Sequence, residues 1–179
     1  MLIKTIFSGF GGQGVLSMGN TLANAAMLQG KFVTYLPSYG AEVRGGTANC
    51  TVAIGDDEIA SPVASEPDFV VSMNQPSFLK FQSILQSGGL ILVNSSMINV
   101  SAARGDIEVV EVPTSELAEK LGNIKAANMV MLGAFIKASN LVSLPLMLKN
   151  LPEILGAGRA KLIKINKEAL ETGYNYIKE

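Results

Sequence analysis

The sequence predicts an α/β fold: a parallel or mostly parallel sheet with helices on both faces and a helical C-terminal third. Three observations carry that expectation. A short β-branched and aromatic run, residues 2–8, enters Gly9-Phe10-Gly11-Gly12-Gln13-Gly14 and emerges into apolar residues at helical spacing, Val15, Leu16, Met18, Leu22, Ala25 and Ala26. Two continuous apolar runs, Phe69-Val70-Val71 and Leu90-Ile91-Leu92-Val93, fit strands covered on both faces. Beyond residue 112 only helical spacing remains.

Taken in order, residues 2–8 form a strand, and the helix that follows Gly14 ends at Gly30. A second strand, 32–36, is stopped by Pro37, so the first 38 residues make one β-α-β unit with a right-handed crossover and a parallel sheet. Thr, Val and Ile dominate a strand at 47–54, closed by the turn residues Asp56-Asp57. Another strand, 68–73, stops at Asn74-Gln75-Pro76, where Pro76 opens a helix to about residue 86. Ser87-Gly88-Gly89 turns the chain into the strand at 90–93, and 107–112 is the last strand. Thr114 is expected to cap a helix through 121, with further helices at 126–139, 144–155 and 159–177. The helix at 126–139 is apolar around its whole circumference, which predicts burial on all sides. A neighbouring subunit is the expected cover; an internal helix of a compact domain is the alternative.

The 179 residues are of the size of one domain, 1–179, and need no disulfide or metal to bury a core. With no His and one Cys, zinc sites, iron–sulfur clusters and His-based catalysis lack their residues. A net charge of −1 gives no general attraction to nucleic acid or anionic lipid. Hydrophobic residues make up 48% of the chain and charged ones only 16%, so some apolar surface is expected to meet another protein. No run of about 20 apolar residues marks a membrane span. The N-terminus does not resemble a secretion signal, and the lone Cys fits a reducing, cytoplasmic setting.

Two loops carry the chemistry. The run Gly9 to Gly14 satisfies G-x-G-x-x-G between a strand and a helix, where glycines let a phosphate approach the helix N-terminus. The candidate ligand-binding residues there are Gly11, Gly12, Gln13 and Gly14. A dinucleotide site would also need an acid near the end of the second strand, and that place holds Tyr35, Leu36, Pro37 and Ser38. A tight turn that packs helix on strand is the competing explanation. The second loop is Ser38-Tyr39-Gly40-Ala41-Glu42-Val43-Arg44-Gly45-Gly46, expected at the carboxyl end of the second strand. Arg44 offers a fork for phosphate or carboxylate, and Glu42 could pair with it or simply brace the loop. Asn74, at the end of another strand, either faces the same crevice or caps a helix. No catalytic or metal-ligating set emerges. Cys50 falls inside a strand and fits an inert core position.

These motifs, with Ser61-Pro62, Asn74-Gln75, and Asn128 before Leu132-Gly133-Ala134, resemble the γ subunit of the 2-oxoacid:ferredoxin oxidoreductases over most of the chain. The Ser-Tyr-Gly-x-Glu variant looks most like the 2-oxoglutarate type; the pyruvate and 2-oxoisovalerate enzymes belong to the same group. The resemblance implies a Rossmann-like subunit of a hetero-oligomer that converts a 2-oxoacid to acyl-coenzyme A and passes electrons to ferredoxin. It further implies α and β subunits, and a ferredoxin-like δ subunit, that carry thiamine diphosphate, Mg²⁺ and [4Fe-4S] clusters. This chain lacks the Gly-Asp-Gly anchor: Gly55-Asp56 is followed by Asp57 and Gly105-Asp106 by Ile107. Its expected roles are support, through the apolar helix and the loop Tyr39, Gly40, Glu42, Arg44, Gly45 and Gly46, and contact with coenzyme A near Gly11, Gly12 and Arg44. The isolated chain is expected to be inactive and to form a homodimer. A free-standing Rossmann-like nucleotide-binding module or reductase, and the related indolepyruvate oxidoreductase subunit, are the alternatives.

Overall fold

The computed structural model describes residues 1–38 and 47–178. Six strands, β1 (Leu2–Phe10), β2 (Phe32–Ser38), β3 (Thr47–Gly55), β4 (Phe69–Ser72), β5 (Leu90–Asn94) and β6 (Glu108–Val112), form one sheet in the order β2-β3-β1-β4-β5-β6. The helices are α1 (Val15–Leu28), α2 (Gln75–Phe81), α3 (Thr114–Lys120), α4 (Ala127–Ser139), α5 (Leu144–Leu155) and α6 (Ile163–Tyr176). The α/β class, the mostly parallel sheet and the helical C-terminal third are as the sequence predicts.

The first β-α-β unit differs in one respect. β1 and β2 run the same way but are not neighbours, because β3 lies between them, antiparallel to both. The cause is connection length. Only residues 39–46 separate β2 from β3, too few for the crossover a parallel pair requires. β2 is thereby an edge strand, and that is why it continues through Pro37 to Ser38 instead of stopping there.

Adjacent residues divide between two cores, as expected for a sheet covered on both sides. Phe7, Val71 and Leu92 join α1, α4 and α6 on one face; Ile6, Val70 and Ile91 join Phe78 and Phe81 of α2 on the other. Phe135 of α4 anchors the larger core, meeting Phe7 edge-on at 5.3 Å and Phe69 at 5.6 Å between ring centroids.

Helix α4 corrects the expectation of a subunit cover. Residues 128–136 are all buried, and the chain itself buries them. Close backbone approach makes this possible. A Cβ at Gly133 would lie 2.0 Å from the Leu170 carbonyl oxygen of α6, and one at Gly173 would lie 1.8 Å from that of Val130. Two glycines thus let α6 lie directly on α4 and close the side facing away from the sheet. The argument for a homodimer built on an exposed α4 falls with it.

Other departures are local. Thr114 does not cap α3: Pro113 occupies that position, and the buried Thr114 hydroxyl has no hydrogen-bond partner among the described residues. Helix α2 ends at Phe81, not near 86, because the Arg104 guanidinium takes the Gln82 and Leu85 carbonyls that a longer helix would use internally. Arg104 also pairs with Asp106, whose carboxyl it holds down to about 2. Helices α4 and α6 are each preceded by a 3-10 turn, Ile124–Ala126 and Ala157–Leu162.

Candidate functional site

The glycine turn leaves β1 at its carboxyl end and enters α1. Gly12 and Gly14 take φ of 94° and 75°, a region where a side chain is strained. One side chain fixes the turn. Gln13 Oε1 accepts from the Phe10 N–H at 2.6 Å and from Asn74 Nδ2 at 3.1 Å, while Gln13 Nε2 donates to the Met73 carbonyl at 3.2 Å and to Met97 Sδ at 3.3 Å. Asn74 is 1% exposed, and its Oδ1 accepts from Ser77 N–H to cap α2. It therefore braces Gln13 from behind instead of facing the crevice.

Gly14 is glycine for two reasons. Its φ is positive, and a Cβ there would sit 2.4 Å from Asn128 Nδ2. That nitrogen donates to the Gly14 carbonyl at 3.3 Å, so the first turn of α4 is tied to the start of α1. Asn128 is 8% exposed, and its Oδ1 has no hydrogen-bond partner among the described residues.

Between the turn and the N-terminal end of α4 lies a pocket of about 250 Å³, lined by Gly12, Gln13, Met73, Asn94, Met97, Ser115, Lys125 and Asn128 among others. It opens at the carboxyl ends of β1, β4 and β5, where α/β sheets bind ligands. Asn94 is held by Ser115 Oγ and the Met73 carbonyl as acceptors, and by the Ser96 N–H as donor. Lys125 brings an ammonium that makes no ion pair among the described residues. The lining offers one cation, amide donors and an amide acceptor, and no carboxylate or thiol. Such a set is suited to an anion by its charge and amide donors.

Of the residues singled out in the sequence, Gly12 and Gln13 line the pocket, Gly14 backs it and Gly11 is exposed beside it. Tyr39, Gly40, Glu42, Arg44, Gly45 and Gly46 lie outside the described residues. Asn94, Met97, Ser115 and Lys125 were not picked out. Asn94 carried a usable signal, a polar residue directly after a buried strand, and Lys125 stands three residues before Asn128.

Cys50 is fully buried, its Sγ 3.6 Å from the Val15 carbonyl, and burial pushes the thiol up to about 12. Such a group supplies no thiolate to a metal or substrate. Asp56, the acid of Gly55-Asp56-Asp57, is engaged by Lys31 at 2.6 Å and by the N-terminal ammonium at 3.0 Å, and Lys31 holds its carboxyl below the usual range. Among the described residues no three His, Cys, Asp or Glu side chains converge as a metal site, and no helix is long and apolar enough to cross a membrane.

Comparison with known proteins gives concordant results. The family profile described as Pyruvate ferredoxin/flavodoxin oxidoreductase matches residues 4–176. The chain is 39% identical over 178 residues to ketoisovalerate oxidoreductase subunit VorA of Methanothermobacter thermautotrophicus, a match covering 99% of this chain and 37% of VorA. This chain therefore spans a little over a third of that relative. It is 33% identical over 175 residues to 2-oxoglutarate synthase subunit KorC of Methanocaldococcus jannaschii, covering 96% of this chain and 92% of KorC. The crystal structure of the γ subunit of a keto/oxoacid ferredoxin oxidoreductase from Geobacter sulfurreducens superposes with a TM-score of 0.86 at 25% identity, covering 98% of this chain and 95% of that one.

Proposed function

Because this chain belongs to the pyruvate ferredoxin/flavodoxin oxidoreductase family, we propose that it serves as the γ-type subunit of a 2-oxoacid:ferredoxin oxidoreductase, on the coenzyme A side of the assembly. The complete enzyme decarboxylates a 2-oxoacid oxidatively, releases the acyl group on coenzyme A and passes electrons to ferredoxin. Thiamine diphosphate, Mg²⁺ and the [4Fe-4S] clusters belong to the companion α, β and δ subunits. The residues of this chain do not fit those groups: its one thiol is buried and protonated, and Asp56 is already paired.

The observation that carries the reading is the pocket, in which an ammonium without an ion pair among the described residues converges with an open glycine turn, and no carboxylate or thiol joins them in the lining. Those residues fit the phosphates of coenzyme A. The Gly12 backbone and Lys125 would hold the phosphoryl oxygens, and Asn128 Oδ1 would accept an N–H or O–H of the same ligand. Coenzyme A supplies the thiol that takes up the acyl group. This chain binds and orients the carrier.

Two substrates are in view. The Ser38-Tyr39-Gly40-x-Glu42 pattern and the near full-length match to KorC support 2-oxoglutarate. The 39% identity to VorA supports 2-oxoisovalerate as the second reading. Affinity purification of the tagged chain from its native cell tests the whole proposal. Companion chains should co-purify, and the complex should reduce ferredoxin with 2-oxoglutarate and coenzyme A. Reduction with 2-oxoisovalerate alone would reassign the substrate. Recovery of a lone chain carrying bound nucleotide would favour a free-standing module and overturn the subunit reading.

A further inference from the structure

We infer that Met97 is a latch on the pocket, released when an oxyanion of the ligand replaces its sulfur on the Gln13 amide. Gln13 is otherwise fully committed: its Oε1 accepts two hydrogen bonds and one Nε2 hydrogen goes to the Met73 carbonyl. The remaining hydrogen goes to the thioether of Met97, 3.3 Å away, one of the weakest acceptors a protein contains. Met97 is 46% exposed, lies just beyond the carboxyl end of β5 and lines the pocket, so the contact holds an unbranched, readily reoriented side chain against the Gln13 amide.

The rest of the lining is mismatched to sulfur. Lys125 has no counter-ion among the described residues. A phosphoryl or carboxylate oxygen entering here would accept from Gln13 Nε2 and sit against the ammonium, and charge-assisted bonds of this kind are shorter and stronger than the bond they replace. Met97 would then swing outward and widen the mouth. The latch rests on the reading that this pocket takes an anionic ligand, and adds to it a side chain that must move before the ligand can seat.

The test uses the full chain with its methionine methyl groups labelled with ¹³C, titrated separately with inorganic pyrophosphate and with succinate while calorimetry follows binding. The Met97 methyl resonance should shift saturably with pyrophosphate while that of Met27, 60% exposed elsewhere, stays in place. Lys125→Ala should weaken binding about tenfold through loss of the charged partner. Met97→Leu should tighten it about threefold, because the Gln13 hydrogen no longer has to be withdrawn from sulfur. A merely structural Met97 would give no tightening. Saturation by succinate alone would keep the latch and assign the oxyanion to a carboxylate. Binding with the Met97 signal unmoved and Met97→Leu unchanged would overturn the latch and leave the pocket reading intact. No binding of either anion would overturn both.

Discussion

Gly173→Ala, and likewise Gly133→Ala, should destabilise the protein by about 3 kcal/mol, seen as a fall in Tm of roughly 10 °C for a chain of this length. The methyl carbon would be placed 1.8 Å from the Val130 carbonyl oxygen in the first case and 2.0 Å from that of Leu170 in the second. Both neighbours are backbone, so no rotamer change relieves the clash. Either the helices separate, opening a gap along Val130, Gly133 and Ala134, or the fold melts at lower temperature. Gly105→Ala is the matched control, with nothing within 4 Å of its added carbon and no positive φ. It should fall within ±0.5 kcal/mol, roughly the range of ordinary surface changes. Equal stability of all three variants would mean that α4 and α6 do not meet backbone to backbone.

Gly14→Ala should have a double effect, on stability and on ligand binding. A residue with a side chain pays about 1–2 kcal/mol to hold the left-handed conformation that Gly14 adopts at φ 75°. The new methyl group also displaces Asn128, whose bond to the Gly14 carbonyl contributes about 1 kcal/mol. The sum is about 2–3 kcal/mol of stability. Because Asn128 lines the pocket, pyrophosphate affinity should fall with it. Gly12→Ala separates the two effects: φ is 94° but nothing lies within 4 Å, so only the conformational part is lost. Denaturant melts with calorimetry on both variants measure this, and a Gly14→Ala protein as stable as Gly12→Ala would remove the Asn128 contact from the account.

The legible part of this fold was what nearby residues decide. The glycine turn between β1 and α1, the buried runs at β4 and β5 and the Asn74-Gln75-Pro76 helix start each depend on neighbours within a few positions, and each stands where the sequence puts it. The antiparallel β3 was legible in principle, since a connection of residues 39–46 is too short for a parallel crossover. Enclosure of α4 was not. An apolar circumference reads the same whether the cover is a partner or the same chain, and the deciding feature is Gly173, forty residues further along and mute until α6 is docked on α4. The site divides in the same way. Gly12, Gln13 and Gly14 announce themselves by pattern, whereas Lys125, Asn94 and Ser115 join them only because three strand ends and the start of α4 converge.

The central claim is that this chain binds and supports while its companions carry the redox chemistry. Its most direct test is the reduction of ferredoxin by the purified chain supplied with 2-oxoglutarate or 2-oxoisovalerate, thiamine diphosphate, Mg²⁺ and coenzyme A, before and after addition of the companion subunits. We expect no oxoacid-dependent reduction from the chain alone and full turnover once the companions are present. Sustained turnover by the chain alone would contradict the account.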